Sequence, residues 1–137
     1  FKDHDLSGIA CGMKNMYGVI HNPNKYHDNN CDPFVADVVN HPFIKDKLKL
    51  TVCDGLTSQY HGGPASVLGH QWRPGRVLAS TDPVALDAMA ANIIEGKRKE
   101  KGMRSLKKSK RPPKWLVTAH KKGLGENRLD KIELVQR

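Results

Sequence analysis

The sequence predicts an α/β fold in which a parallel or mixed sheet carries helices on both faces. Two segments, residues 48–56 and 76–80, have the composition of strands, and a long helical segment at 84–99 follows the second. Strands that alternate with helices along a chain are typical of a sheet covered by helices. At 137 residues, we expect one α/β domain over 1–137 that is itself part of a larger domain.

The N-terminal segment predicts a short helix followed by a loop. Ser7 is a suitable helix cap, and apolar residues follow it at helical spacing, at Ile9, Met13 and Met16. Residues 19–31 contain many turn-forming residues, so we expect a loop there.

The middle of the chain predicts a helix, a strand and a second loop. Asp32 and Pro33 begin a helix that runs to Asn40, because a cap followed by proline at the first helical position is favourable. Residues 48–56 (LKLTVCDGL) are the best strand, with β-branched residues, an apolar majority and a glycine stop. The glycine-rich segment 57–75 is predicted to be a loop.

The second half of the chain predicts strand, helix, helix and strand. Residues 76–80 form a strand, and Asp82 opens the helix at 84–99. A further helix covers 114–122, and alternation of apolar residues predicts a last strand at 131–136.

The net charge of +9 arises from one segment. Residues 95–114 hold ten lysines and arginines against two acids, whereas the remainder holds thirteen against twelve. The basic run 97–114 has no aromatic residue before Trp115 and no nucleic-acid-binding motif. This pattern favours a solvated, exposed segment over a nucleic-acid interface, so we expect a small molecule or a protein as partner.

Cysteine spacing and hydropathy exclude several classes of protein. Cys11, Cys31 and Cys53 are 20 and 22 positions apart and form no CxxC pair. We therefore expect no zinc ribbon and no iron–sulfur cluster from this chain alone. No apolar run approaches the ~20 residues of a membrane span, so we expect a soluble chain. Because it begins with Phe1, we expect a mature or trimmed chain, either cytoplasmic or exported.

Chemistry-bearing side chains concentrate in the first thirty-one residues. Lys14 lies among small and apolar neighbours, where partial desolvation lowers its pKa and makes it a base or nucleophile. His4, His21 and His27 surround it in sequence, and histidines on an irregular loop can converge on a metal or an anion. Each residue alone is more simply a surface residue, but together they favour a site.

Acidic residues follow both predicted strands. Asp54 ends the first, where α/β sheets collect ligands, and is a candidate general base or metal ligand, or else a turn residue. Asp82 caps the helix after the second strand. We expect the N-terminus of that helix to lie at the same edge of the sheet as Asp54, where it is a candidate anion site. Asp87, one turn further on, is expected to be buried and paired with an unidentified group.

One more candidate lies in the loop at 57–75. Gly62 and Gly63 are consecutive, which lets backbone N–H groups approach an anion, and His61 beside them is a candidate metal ligand. A plain turn is the simpler alternative, because neither a Walker lysine nor a GxGxxG sequence is present.

Several segments together resemble one protein family. They are KDHDLSGIACGMKNMYG, DPFVADVV, LTVCDGL followed by HGGP, ASTDPVALDAMAA and GLGE. In this order they are similar to the C-terminal part of the family called domain of unknown function 362. The most specific pieces are Lys14-Asn15-x-x-Gly18 and the segment from Ser80 to Asp87. Family members are often fused to ferredoxin-like iron–sulfur modules, and some carry twin-arginine export signals, so the resemblance implies an association with iron–sulfur proteins.

The opening segment is also similar to the nickel-dependent lactate racemase group. In that group a catalytic histidine precedes a glycine-rich stretch that ends in a cofactor-bearing lysine. The similarity implies His4 as the histidine and Lys14 as the lysine.

We therefore expect a metal- or anion-dependent site that performs redox or proton-transfer chemistry on a small molecule. The candidate catalytic residues are Lys14, His4 and Asp54; the candidate metal ligands are His21, His27 and His61; the candidate anion-binding residues are Gly62, Gly63 and Asp82. A divalent transition metal is the candidate cofactor. The alternatives are a non-enzymatic subunit of a redox assembly, which docks through 97–114, and nucleic-acid binding through the same run.

Overall fold

The structure, a computed structural model, describes residues 1–136. Within them the strands are β1 (Lys2–His4), β2 (Gly8–Ala10), β3 (Thr51–Gly55), β4 (Ser58–Gln59), β5 (Gln71–Trp72) and β6 (Arg76–Ser80). The α-helices are α1 (Gly12–Asn15), α2 (Asp28–Cys31), α3 (Phe34–Asn40), α4 (Pro42–Lys45), α5 (Pro83–Glu100) and α6 (Trp115–Lys121). Short 3-10 segments cover Met16–Val19, Pro23–Tyr26, Leu68–His70 and Leu129–Lys131. None of the helices in this part of the chain combines the length and hydrophobicity that crossing a bilayer requires.

The strands form two small sheets of mixed direction. The first has the order β2-β1-β4-β5, in which β1 pairs antiparallel with β2 and parallel with β4. The second pairs β3 with β6 antiparallel, with Thr51 opposite Ser80 and Gly55 opposite Arg76. Together with the helices, these sheets confirm the predicted α/β fold with a mixed sheet.

The direction of the β3–β6 pair separates two residues that were expected at one edge. Because the strands are antiparallel, Asp54 lies opposite Val77 near the start of β6, whereas Asp82 follows the far end of that strand. The expectation that Asp54 and Asp82 share one sheet edge is wrong, since it assumed parallel strands.

The core lies where α3, α5 and α6 pack against the N-terminal part of the chain, residues 1–31. Val35 of α3, Ile94 of α5 and Trp115 of α6 are fully buried, as is Ile9 of β2. Burial of each such side chain contributes about 1.5–3 kcal/mol. The Trp115 indole N–H also donates to the Ser7 carbonyl oxygen at 3.2 Å, which ties the C-terminal helix to the first hairpin.

Local patterns predicted some elements well and failed for others. The strand at 76–80 is confirmed residue for residue, and the long helix differs by one residue at each end. The helix predicted from Ser7 is wrong at its start, because residues 8–10 pair with β1 and the helix begins at Gly12. The strand predicted at 131–136 is also wrong: residues 132–136 form no ladder, and Leu134 and Val135 are exposed.

A buried ionic cluster joins the basic run to β1. Asp3 is fully buried, and the Arg111 guanidinium Nη1 donates to its Oδ2 at 2.9 Å and lies 2.8 Å from its Oδ1. The Arg98 Nη1 lies 3.7 Å from the same Oδ1 and donates to the Tyr60 carbonyl oxygen at 3.0 Å. Arg98 and Arg111 are therefore buried, so the exposed character expected of 97–114 holds for its lysines and not for these two arginines.

We predict that Arg111→Ala lowers the free energy of unfolding by about 3–5 kcal/mol, because it leaves the buried Asp3 carboxylate without its closest cation. Urea denaturation followed by tryptophan fluorescence measures the change. The matched control is Lys108→Ala on the exposed part of the same run, which is expected to change stability by less than about 0.5 kcal/mol. Equal effects of the two substitutions would contradict the structural role of Arg111.

Candidate functional site

A cleft of about 740 Å³ brings together the three side chains predicted to be catalytic. His4 reaches it from β1, Lys14 from α1 and Asp54 from β3. Polar side chains from the segment 57–71 complete much of its lining. The volume and the polar lining fit a small polar molecule.

The position of Lys14 depends on a carboxylate from the long helix. Asp87 is fully buried, and its two oxygens accept the N–H groups of Gly12 at 2.8 Å and Met13 at 2.9 Å. A Cβ at position 12 would meet Thr51 and Asp87 itself, so the close approach requires glycine. Met13 is buried on the inner side of α1, and the next residue, Lys14, lines the cleft. Asp87 is thus buried and paired, as expected, and its previously unidentified partner is the start of α1.

The Lys14 amine is partly buried and hydrogen-bonded to the imidazole of His27. Its Nζ lies 3.1 Å from His27 Nε2 and 4.8 Å from the centre of the Tyr17 ring. The His27 Nδ1 lies 3.0 Å from the Pro23 carbonyl oxygen, which only accepts, so Nδ1 carries the proton and Nε2 accepts from Lys14. Burial lowers the pKa of Lys14 from its ordinary value, which increases the fraction of neutral amine.

His4 is a neutral imidazole beside the pair formed by Lys14 and His27. Its ring stacks on His27 with 5.6 Å between the ring centres, and its Nδ1 accepts the N–H groups of Leu6 and Ser7 at 3.2 and 3.4 Å. Burial, aided by the Lys14 charge, lowers the pKa of His4 to about 4, although the nearby Asp5 carboxylate opposes this change. At neutral pH the proton of His4 is therefore on Nε2.

The opposite side of the cleft offers an acid and an unpaired hydroxyl. Asp54 is exposed, and its Oδ1 accepts the N–H of Leu56 at 2.7 Å, as a strand-end turn residue does. Ser58 also lines the cleft, and its hydroxyl oxygen is buried without a hydrogen-bond partner among the described residues. Buried polar atoms are rarely left unpaired, so the Ser58 hydroxyl stands out as a polar group in this wall of the cleft.

The three histidines predicted as metal ligands lie in three different places. His27 pairs with Lys14, whereas His21 lines a second, largely apolar cleft of about 810 Å³. His61 lies with its Nδ1 3.2 Å from Arg111 Nη2. Over residues 1–136, no group of three or more His, Cys, Asp or Glu side chains is arranged to hold a metal ion. The predicted set of ligands therefore does not fit a metal centre.

The three residues predicted to bind an anion, Gly62, Gly63 and Asp82, lie in contacts within this chain. The Gly63 N–H donates to Asp3 Oδ2 at 3.4 Å, and Gly63 packs so tightly on the Asp3 carbonyl oxygen that no Cβ fits; Gly62 precedes it with a φ of +81°. The Asp82 carboxylate itself caps α5, and it accepts the N–H groups of Ala85 and Glu126, both at 2.8 Å. The structure therefore uses these positions for internal packing.

Two cysteines meet in the wall of the cleft, a contact that the sequence spacing did not predict. The Sγ atoms of Cys11 and Cys53 are 2.9 Å apart, and both residues line the cleft. Cys31 is buried elsewhere, with its thiol directed toward the His27 carbonyl oxygen at 3.9 Å.

We predict a pH dependence of stability that arises from Asp87. Burial raises the pKa of this carboxyl from its ordinary 3.8 to about 7. Between about pH 4 and about pH 7 the folded state therefore binds one proton more than the unfolded state. The stability contributed by protonated Asp87 is complete below this window and is lost as the pH rises through it. Urea denaturation of the wild type and of Asp87→Asn measures this, and the stability difference, wild type minus variant, should fall as the pH rises. A difference that is constant from pH 4 to pH 8 would contradict the raised pKa.

Comparison with known proteins identifies the family of the chain. The family model described as Domain of unknown function (DUF362) matches residues 1–92. The match includes the lysine of α1 and the segment from Ser80 to Asp87, and it ends before the GLGE segment that also suggested the family. No curated protein and no solved structure matches the chain. Since the match covers well over half of its length, the chain belongs to the DUF362 family.

Proposed function

We propose that the cleft binds a small polar molecule and that Lys14 exchanges a proton with it. One observation carries this proposal: a partly desolvated amine is hydrogen-bonded to a neutral imidazole within a polar cleft. Lowering the pKa of a lysine makes it a better general base at neutral pH, because a larger fraction of its amine is unprotonated.

The neighbouring groups have complementary roles in this proposal. His27 Nε2 accepts a hydrogen bond from the Lys14 amine and so fixes the position of that amine in the cleft. His4 presents a neutral Nε2–H as a hydrogen-bond donor, and Asp54 orients a donor group of the bound molecule. Lys2 also lines the cleft, and its positive charge favours a molecule that carries a carboxylate.

The proposal assigns the chemistry to protein side chains alone. The residues in the described part of the chain do not supply three ligands for a transition metal at one point. The racemase similarity implies a cofactor-bearing role for Lys14, and in the structure its amine is hydrogen-bonded to His27. Proton transfer by Lys14 uses the observed arrangement without a rearrangement.

The alternative is a non-enzymatic subunit that docks on an iron–sulfur-associated partner, or on nucleic acid, through 97–114. The exposed lysines of that run support it, but Arg98 and Arg111 are held inside by Asp3 and add nothing to that surface. Salt separates these functions, because phosphate-driven binding weakens steeply between low and moderate salt and proton transfer in a cleft does not.

We predict that the protein catalyses hydrogen–deuterium exchange at an acidic C–H bond of a small carboxylic acid. The assay incubates the protein in D₂O with a panel of 2-hydroxy, 2-oxo and amino acids and follows loss of the C–H signals by proton NMR. Lys14→Met should lower the rate by about 10²–10⁴-fold, as removal of a general base does.

The matched control for this assay is Lys99→Met, which changes an exposed lysine of α5 and should leave the rate unchanged. Exchange that proceeds equally in Lys14→Met, or a wild type that exchanges no member of the panel, would contradict the proposal. Far-ultraviolet circular dichroism of each variant shows that a lost rate does not reflect a lost fold.

A further inference from the structure

We propose that Cys11 and Cys53 form a reversible disulfide in the wall of the cleft, by exchange with a low-molecular-weight disulfide that enters the cleft. The two sulfur atoms already lie 2.9 Å apart although the residues are 42 positions apart in sequence. A disulfide bond is about 2.05 Å long, so the sulfur atoms need to approach by only about 0.9 Å. This inference needs no enzymatic activity and is independent of the proposed function.

The pair is enclosed but can be reached from the cleft. Cys11 and Cys53 are 8% and 7% exposed, and both belong to the cleft lining. Cys31 is fully buried and is not a lining residue of that cleft, so it provides an internal control. A reagent of low molecular weight therefore meets one pair of thiols, and the third thiol is protected from it.

The two thiols have different roles, because their surroundings differ. The hydrogen bond between the two thiols lowers the pKa of Cys53 and raises that of Cys11. The buried Asp87 carboxyl beside Cys11 also raises the pKa of Cys11. Cys53 is therefore the thiol that ionises first and attacks, and Cys11 is the thiol that resolves.

The exchange balances with oxidised glutathione as the oxidant. The Cys53 thiolate attacks one sulfur of glutathione disulfide, forms a mixed disulfide and releases one glutathione thiolate. The Cys11 thiol then loses its proton and attacks the Cys53 sulfur, which releases the second glutathione. In sum, two protein thiols and one glutathione disulfide yield one protein disulfide and two reduced glutathione molecules.

The new bond would change the wall of the cleft. Cys11 directly precedes α1, the helix of Lys14, and Cys53 directly precedes Asp54 in β3. The disulfide ties the start of α1 to β3, and it removes from the cleft the two thiols that line it. The redox state of the pair thus sets how freely the two walls move relative to each other.

The test uses the whole folded chain in buffers of defined reduced and oxidised glutathione ratio. After equilibration, N-ethylmaleimide blocks free thiols, and intact mass with peptide mapping identifies which cysteines are protected. The wild type and the control Cys31→Ala should each lose two hydrogen atoms and protect Cys11 and Cys53 together. In Cys11→Ala, glutathione should remain attached to Cys53. In Cys53→Ala, attachment to Cys11 should be at least about tenfold slower.

Each other result overturns a defined part of the proposal. If Cys11 and Cys53 of the folded wild type both stay open to N-ethylmaleimide in fully oxidised glutathione, the pair does not form a disulfide. A disulfide that includes Cys31 excludes the assigned pairing. If the two single variants acquire glutathione at equal rates, Cys53 is not the attacking thiol. The wild-type measurement stands even where a variant fails to fold.

Discussion

The Asp87 carboxylate is the contact on which the arrangement of the cleft depends. It accepts two backbone N–H groups at the start of α1, and it lies 75 residues away from the first of them in sequence. Without those acceptors, two N–H groups would be left unpaired at the centre of the fold, at a cost of about 1–3 kcal/mol each. Because α1 is a single turn without a side-chain cap of its own, this contact sets the direction in which Lys14 points.

A second buried carboxyl group, that of Asp3, fixes the position of β1. Asp3 binds Arg111 and lies beside Arg98, so the basic run is folded onto β1. The first hairpin is therefore fixed by the Asp3 carboxylate within it, and the start of α1 is fixed by the Asp87 carboxyl of α5. The cleft forms between this hairpin, α1 and β3. Both side chains are fully buried, and buried polar groups persist in proteins only where they are paired or hydrogen-bonded.

The sequence allowed some residues of the candidate site and some elements of the fold to be predicted, for physical reasons that can be traced to residues. Lys14, His4 and Asp54 were identified by residue type, and they do line one cleft. The strand at 76–80 and the helix after it were predictable because composition and an aspartate cap define them locally. Three features could not be predicted, because each is a contact between segments that are distant in sequence. They are the antiparallel pairing of β3 with β6, the partner of Asp87 and the Cys11–Cys53 contact.

Burial in the cleft lowers the pKa of the Lys14 amine, and the proposed role of this amine as a base depends on that shift. Reductive ¹³C-methylation of the lysines and an NMR titration test this most directly, with Lys14→Arg to assign the signal. We predict that Lys14 titrates at a lower pH than exposed lysines such as Lys99, because desolvation disfavours its charged form. A Lys14 signal that titrates together with the exposed lysines would show that the amine is solvated, and it would contradict its role as a base.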